Sequence, residues 1–129
     1  MPSILIIDDD EQVRMILQRA LTAAGHTVIT ACDGAEAVRL YRAEPTDLVI
    51  TDVFMPNQEG LGTIMELRRE YPGLGIIAMS GSSSRSPSWL TVAAHLGVHR
   101  TLAKPFTMAQ LTEAVAEVLR ACPDPLAKV

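Results

Sequence analysis

Acidic side chains follow two separate apolar runs in this sequence. The run Ile4–Ile7 leads directly to Asp8 and Asp9, and the run Leu48–Ile50 leads to Asp52. Like charges that crowd together repel one another unless a cation offsets them. Magnesium suits such a group, because it takes one or two carboxylates together with retained waters and a phosphate. The acids therefore predict a magnesium site, where a carboxylate could act as the nucleophile toward a phosphoryl group.

Two further strand-like runs end in residues that could join this site. The run "GIIAMS" ends at Ser80, and the run "RTLAK" ends at Lys104. If the strands are parallel, their carboxyl ends lie along one edge of a sheet, where ligands bind in such folds. The charges of three carboxylates, one Mg²⁺ and the Lys104 ammonium would then sum to zero. Phosphoryl transfer depends mostly on positioning and on such charge neutralisation.

The elements that must position these residues are strands and helices in strict alternation. The predicted strands are Ser3–Ile7, His26–Ala31, "DLVIT" ending at Asp52, Gly75–Ser80 and Arg100–Lys104. The predicted helices follow each strand in turn, with one around Leu61–Tyr71 and a fourth near Trp89–Leu96. The first helix carries one apolar face at helical spacing, formed by Val13, Ile16, Leu17, Ala20, Leu21 and Ala24.

Residues at the ends of these segments indicate where the helices begin and end. Gly25 can take the left-handed conformation that closes the first helix. Asp33 is a preferred residue type for capping the second helix, and Thr107 can cap the last one. The apolar face of the last helix is formed by Met108, Leu111, Val115, Val118 and Leu119.

This alternation predicts an α/β fold with a five-stranded parallel sheet and helices on both faces. Three runs are continuously apolar, as central parallel strands require: Ile4–Ile7, Leu48–Ile50 and Ile76–Met79. The second and fifth strands contain polar residues among the apolar ones, as expected for strands at the two edges of the sheet. The flavodoxin-like order 2-1-3-4-5 puts them there. The first turn, "DDDE", lacks the glycines of a dinucleotide-binding loop, and its charges would repel a pyrophosphate.

Composition and charge limit the number of domains, the classes of binding partner and the cellular compartment that are expected. The chain has 129 residues, 48% of them hydrophobic, which predicts one domain over residues 1–122 and a short tail over 123–129. A net charge of -4 leaves no basic stripe for nucleic acid, and no apolar run approaches membrane-spanning length. Cys32 and Cys122 lack metal-ligand spacing and are expected to be reduced thiols of a cytoplasmic protein. The three histidines lack it too, and we expect them to be solvated: His26, His95 and His99.

Four stretches in the same order and spacing resemble the receiver domain of bacterial two-component response regulators, in its chemotaxis-regulator-like, single-domain form. They are "ILIIDDDEQVR", "DLVITDVFMPNQEG", "GIIAMSGSS" and "LAKPF". The resemblance spans about the whole chain. It implies a signalling domain with self-catalysed phosphotransfer and autodephosphorylation, and it implies no enzyme acting on a separate substrate.

The resemblance implies a role for each matching residue. Asp8, Asp9 and Asp52 would hold Mg²⁺ together with the main-chain carbonyl of Phe54, and Asp9, more than Asp8, would be the direct ligand of the pair. Asp52 would be the phosphoacceptor. No other cofactor is implied.

Two more residues would act on the transferred group. Ser80 would hydrogen-bond the phosphoryl group, and Lys104 would pair with Asp52 and later with a phosphoryl oxygen. Many relatives carry an aromatic residue three positions before this lysine, where this chain has Thr101. Switching through an aromatic ring is therefore not expected here, while the phosphorylation chemistry is unaffected.

The resulting hypothesis is a stand-alone receiver that takes a phosphoryl group from a sensor histidine kinase or a histidine phosphotransfer protein. Its output would run through an unknown protein partner on the face formed by the fourth helix, the fifth strand and the last helix. A phosphorylation-independent interaction module is the alternative that Thr101 motivates. A phosphatase with an aspartyl intermediate is a third, although Phe54 stands where such enzymes usually need a second acid.

Overall fold

A computed structural model of the chain describes residues 2–53, 59–80, 97–103 and 106–121, with side chains described for all of these except 59–61 and 80. The strands are β1 (Ser3–Ile7), β2 (Thr27–Ala31), β3 (Leu48–Asp52), β4 (Gly75–Ser80) and β5 (Arg100–Ala103). The helices within the described ranges are α1 (Glu11–Ala23), α2 (Gly34–Ala43), α3 (Glu59–Glu70) and the last helix (Met108–Ala121). The helix expected near Trp89–Leu96 lies outside the described residues.

The five strands form one parallel sheet in the order β2-β1-β3-β4-β5, as the composition of the runs predicts. β3 is buried along its whole length, and Ile4–Ile7 of β1 are buried too. The edge strand β2 is half-buried at most positions, so its threonines keep contact with solvent. Continuous apolar runs thus occupy the centre of the sheet because both of their faces are covered.

The core consists of two layers, one on each face of the sheet. Alternate residues of β1 point to opposite faces, so Leu5 and Ile7 join one layer while Ile4 and Ile6 join the other. Helices α2 and α3 cover the first layer, and α1 and the last helix cover the second. Helices therefore lie on both faces of the sheet, as expected for a doubly wound fold.

Local capping explains where α1 and α2 begin. The Asp10 Oδ1 atom accepts hydrogen bonds from the backbone N–H groups of Gln12 at 2.9 Å and Val13 at 3.4 Å. Asp33 does the same for α2, accepting from the Glu36 N–H at 2.7 Å. Each carboxylate satisfies donors that the helix itself leaves unpaired. Gly25 follows α1 with φ of 98°, the left-handed conformation expected of it.

Two sequence expectations are wrong in detail. Ile16 is 57% exposed, because the sheet covers a narrower strip of α1 than the six-residue apolar face. His99 is exposed, as expected, and in addition its Nδ1 accepts a hydrogen bond from the Ile76 N–H at 3.3 Å while its own N–H donates to the Ile76 carbonyl at 2.8 Å. Helix α3 also begins two residues earlier than predicted, at Glu59.

Within the described ranges, no helix combines the length and the apolar character that crossing a bilayer requires.

The effect of helix propensity on stability can be tested at Gly62 in α3. A Cβ atom built at this position would meet nothing within 4 Å, and the residue is exposed inside the helix. Replacing Gly62 by alanine should raise the free energy of unfolding by about 0.5–1 kcal/mol, because alanine loses less backbone entropy on folding. The control is Gly25→Ala, which should lower it, since alanine is strained at positive φ. Urea unfolding measures both, and a less stable Gly62→Ala variant would contradict the account.

His99 should make stability depend on pH. Desolvation, followed by the charge of Arg68, lowers the pKa of His99 below the ordinary 6.5. As pH falls below 6.5 the unfolded chain takes up this proton first, so the free energy of unfolding decreases until the lower folded pKa is passed. Unfolding in urea at about pH 7.5 and about pH 5.5 should therefore show a loss of stability.

The matched control is His99→Asn, whose Oδ1 can accept the Ile76 N–H but does not titrate. This variant should lose less stability than the wild type between the same two pH values. Equal losses in both proteins would show that His99 does not contribute.

Candidate functional site

The candidate site lies at the carboxyl ends of the two central strands β1 and β3. These strands are neighbours, and their last paired residues are Ile7 and Thr51. The next residues along the two strands are Asp8 and Asp52, so the register alone places them side by side. Parallel strands run in the same direction, which is why acids distant in sequence reach the same edge.

The structure brings together three of the predicted site residues. Carboxylate oxygens of Asp8, Asp9 and Asp52 all lie within 4.8 Å of one another. Their surroundings differ: Asp8 is fully buried, Asp52 is 6% exposed and Asp9 is exposed. Asp8 and Asp52, at the ends of two strands, therefore form the buried part of the cluster, and Asp9 forms its solvent-exposed part.

Backbone hydrogen bonds hold Asp8 in this position. Its N–H donates to the Ala31 carbonyl of the adjacent strand β2 at 3.2 Å. Its Oδ1 accepts from the Asp10 N–H at 2.9 Å, which folds the loop back over the strand end. Asp10 in turn caps α1, so its carboxylate faces the helix and is not part of the cluster. Three consecutive aspartates thus have three different local roles.

The cluster has the chemistry of a hard-cation site. Two unit charges about 4 Å apart repel by about 1 kcal/mol in water, and by about 4 kcal/mol at the effective dielectric of a protein surface. Each of the three residues offers a carboxylate oxygen, and oxygen is the donor that Mg²⁺ prefers. The residues present therefore fit a magnesium ion, and binding one would offset the repulsion.

Arg14 also belongs to this region, and sequence reasoning did not single it out. Its Nη1 donates a hydrogen bond of 2.6 Å to the main-chain carbonyl of Asp8, from the first turn of α1. The side chain is half-buried. An arginine near a helix start carries no pattern that distinguishes this contact from a solvated side chain, so no sequence signal could have found it.

A free thiol lies at the same edge, on the neighbouring strand. Cys32 directly follows β2, and its N–H donates to Glu36 Oε1 at 2.9 Å. Desolvation and then the carboxylates of Glu36 and Asp33 raise the pKa of the Cys32 thiol, and Arg14 acts in the opposite direction. The thiol therefore remains protonated at neutral pH and is a poor nucleophile.

The other predicted site residues are only partly covered by the structure. Ser80 ends β4 and pairs with Ala103 at the end of β5, so both strands finish at the same edge as the acids. The Ser80 side chain, Lys104 and Phe54 lie outside the described residues. Thr101 lies in β5 and is half-buried.

Comparisons with known proteins agree on one family. A family model described as "Response regulator receiver domain" matches residues 4–116. "Probable transcriptional regulator ycf27" of Porphyridium aerugineum is 36% identical over 119 residues, which are 91% of this chain and 48% of that protein. "DNA-binding transcriptional regulator NtrC" of Escherichia coli (strain K12) is 34% identical over 116 residues, 90% of this chain and 24% of that protein. This chain thus spans about half or less of the length of these relatives.

Solved structures show the same similarity. The chemotaxis protein CheY4 of Vibrio cholerae superposes with a TM-score of 0.85 at 29% identity, covering 92% of this chain and 99% of that one. A response regulator receiver domain protein from Clostridium thermocellum gives a TM-score of 0.86 at 26% identity, covering 94% and 96%. Together with the sheet order and the acidic cluster, these matches identify the chain as a member of the response regulator receiver domain family of two-component signalling.

Proposed function

We propose that this receiver domain accepts a phosphoryl group on Asp52 in a magnesium-dependent reaction with a phosphohistidine donor. One observation carries the proposal: carboxylate oxygens of Asp8, Asp9 and Asp52 converge within 4.8 Å at the carboxyl ends of β1 and β3. Family membership supports a phosphoacceptor role in general. The assignment of that role to individual residues rests on their geometry and on their match to the family pattern.

The three aspartates would hold Mg²⁺, with different contributions. Asp9 is exposed and can reach a hydrated ion directly. Asp8 is buried and commits Oδ1 to the Asp10 N–H, which leaves it better suited to fixing the loop and supplying charge than to taking several ligand positions. The Phe54 main-chain carbonyl, two residues after Asp52, is proposed as a further ligand. When bound, the ion would neutralise charge on the transferred group.

Asp52 is the proposed nucleophile because it lies at the end of a fully buried strand yet keeps 6% of its surface exposed. A carboxylate oxygen of Asp52 attacks the phosphorus of the donor, so an O–P bond forms as the N–P bond to the histidine breaks. The imidazole leaves with the bonding electrons and takes up a proton. Attack by water on the resulting acyl phosphate later releases inorganic phosphate and restores the carboxylate.

Two residues at the ends of β4 and β5 are proposed to complete the site. The Ser80 hydroxyl would donate a hydrogen bond to a phosphoryl oxygen, and the Lys104 ammonium would first pair with Asp52 and then with the phosphoryl group. The position of Ser80 at the end of β4 and of Ala103 at the end of β5 supports this assignment. The Lys104 charge brings the sum over three carboxylates and one Mg²⁺ to zero.

The donor would be a sensor histidine kinase or a histidine phosphotransfer protein. We propose that residues 1–122 form the receiver and that the phosphorylated state is read by a protein partner. The face for that partner would be formed by β5, the last helix and the segment around residues 89–96. A net charge of -4 argues against direct nucleic-acid binding by this domain, and the exposed free thiol of Cys32 suits the reducing cytoplasm.

Labelling by a small phosphodonor tests the proposal. Incubation with acetyl phosphate and Mg²⁺ should add the mass of one phosphoryl group, detected by intact-protein mass spectrometry and removed by hydroxylamine. Asp52→Asn should abolish this gain because the amide is not a nucleophile of comparable strength. A chelator should abolish it in the wild type.

Asp10→Asn is the matched control for the loss of a charge near the site. Asparagine caps a helix as well as aspartate does, and Asp10 lies outside the carboxylate cluster. This variant should be labelled like the wild type. A folded wild-type protein that gains no mass, or an Asp52→Asn variant that gains as much as the wild type, would refute the assignment.

Thermal unfolding provides an independent test of the metal site. At ten times its dissociation constant, Mg²⁺ should stabilise the wild type by about 1.4 kcal/mol, because it binds the folded state. Asp9→Asn should be more stable than the wild type without divalent cation, since one repelling charge is gone, and should respond little to Mg²⁺. Asp10→Asn should keep the full response. If Asp9→Asn and the wild type responded equally, Asp9 would not be a ligand.

A further inference from the structure

The β1–α1 loop, residues 8–10, carries two of the three cluster carboxylates, so whatever holds this loop also positions the proposed metal site. The hydrogen bonds that hold Asp8 include the one that its N–H donates to the Ala31 carbonyl, the one that its Oδ1 accepts from the Asp10 N–H and the one that its carbonyl accepts from Arg14 Nη1. The first of these belongs to the sheet and the second to the loop itself. The third is made by a side chain that reaches back from α1.

The Arg14 contact has the features of a stabilising bond. Its length of 2.6 Å and its charged donor make it stronger than a neutral backbone bond. Arg14 is half-buried, and its own N–H donates to the Asp10 carbonyl at 3.1 Å within the first helical turn. The bond to Asp10 is the ordinary main-chain bond of a helix, so only the bond to the Asp8 carbonyl depends on the arginine side chain.

We propose that Arg14 is a positioning residue for the metal site, holding the loop so that Asp8 and Asp9 face Asp52 before a cation binds. This inference rests on the proposed function, since it concerns the affinity of the same cluster for Mg²⁺. In this role Arg14 would not be a ligand of the ion or of the phosphoryl group. It acts through the main chain of Asp8, as groups that orient metal ligands do.

Removing Arg14 would have two opposed effects. Loss of a positive charge would, by Coulomb attraction alone, strengthen the binding of Mg²⁺ to the acids. Loss of the bond to the Asp8 carbonyl would release the loop, so that binding would have to order it, and the affinity would fall. Screening by water and salt reduces the first effect, because it acts between separated charges, whereas a hydrogen bond at contact distance is screened much less. The proposal therefore predicts weaker binding.

Arg19 provides a control for charge. It lies on the same helix about 7.5 Å further from the loop along the helix axis and is exposed. Arg19→Met removes the same formal charge as Arg14→Met. None of the hydrogen bonds described for Asp8 involves Arg19.

The experiment is calorimetric titration of Mg²⁺ into wild type, Arg14→Met, Arg14→Lys and Arg19→Met, each confirmed as folded by circular dichroism. Arg14→Met should bind Mg²⁺ about 10- to 100-fold more weakly than the wild type, the usual range for loss of a group that orients ligands. Arg19→Met should bind as the wild type does. Arg14→Lys should recover part of the affinity, because it keeps a charged donor on a long side chain.

Each other outcome would overturn the proposal in a distinguishable way. Tighter binding by Arg14→Met would show that Arg14 acts only as a repelling charge. A lower melting temperature with unchanged Mg²⁺ affinity would show that it is merely structural. Equal weakening in Arg14→Met and Arg19→Met would assign the effect to net charge. A wild type that binds no Mg²⁺ would refute the proposed function and this inference together.

Discussion

Repulsion among three carboxylates is the constraint on which the carboxyl edge of this sheet depends. Asp8 and Asp52 are buried and Asp9 is exposed, yet oxygens of all three lie within 4.8 Å. Such a group is stable only where the fold or a bound cation offsets its charge. The hydrogen bonds from the Asp10 N–H and from Arg14 hold the loop in place, and family membership makes Mg²⁺ the expected cation.

The parallel sheet is what makes this convergence possible. β1 and β3 are neighbours at the centre of the sheet, and their register places Asp8 and Asp52 side by side at its carboxyl edge. Both acids are supported by the buried residues of these two strands. The two core layers prevent either strand from shifting, because a slip by one residue would turn its apolar side chains to the wrong face. The polar cluster is therefore supported by the packing of residues that have no part in its chemistry.

Sequence reasoning succeeded where the physical signal is local or repetitive. Continuous apolar runs identified the central strands, and polar dilution placed β2 and β5 at the edges. The capping residue type of Asp33 located the start of α2, and Gly25 located the end of α1. Sequence reasoning failed where the burial of a residue depends on which other elements pack against it. Periodicity assigned Ile16 to the core face but could not reveal how wide a strip of α1 the sheet covers.

The two polar contacts that sequence reasoning missed share one cause. His99 bonds to Ile76, which precedes it by 23 residues, and Arg14 bonds to the carbonyl of Asp8. Neither contact follows from residue type, because histidine and arginine side chains can be either solvated or hydrogen-bonded to the backbone. Such bonds form only when packing has already brought a particular donor within reach of a particular acceptor.

The amino-acid sequence by itself determined the alternation of strands and helices, the strand order and the set of acids at the strand ends. These follow from hydrophobic period, residue composition and the parallel direction of the strands. Only the tertiary structure decided that Asp8 is buried while Asp9 is exposed, that Asp10 turns away to cap α1, and that Arg14 reaches back to the loop. The physical reason is that side-chain distances depend on how separate elements pack, and no local pattern encodes that packing.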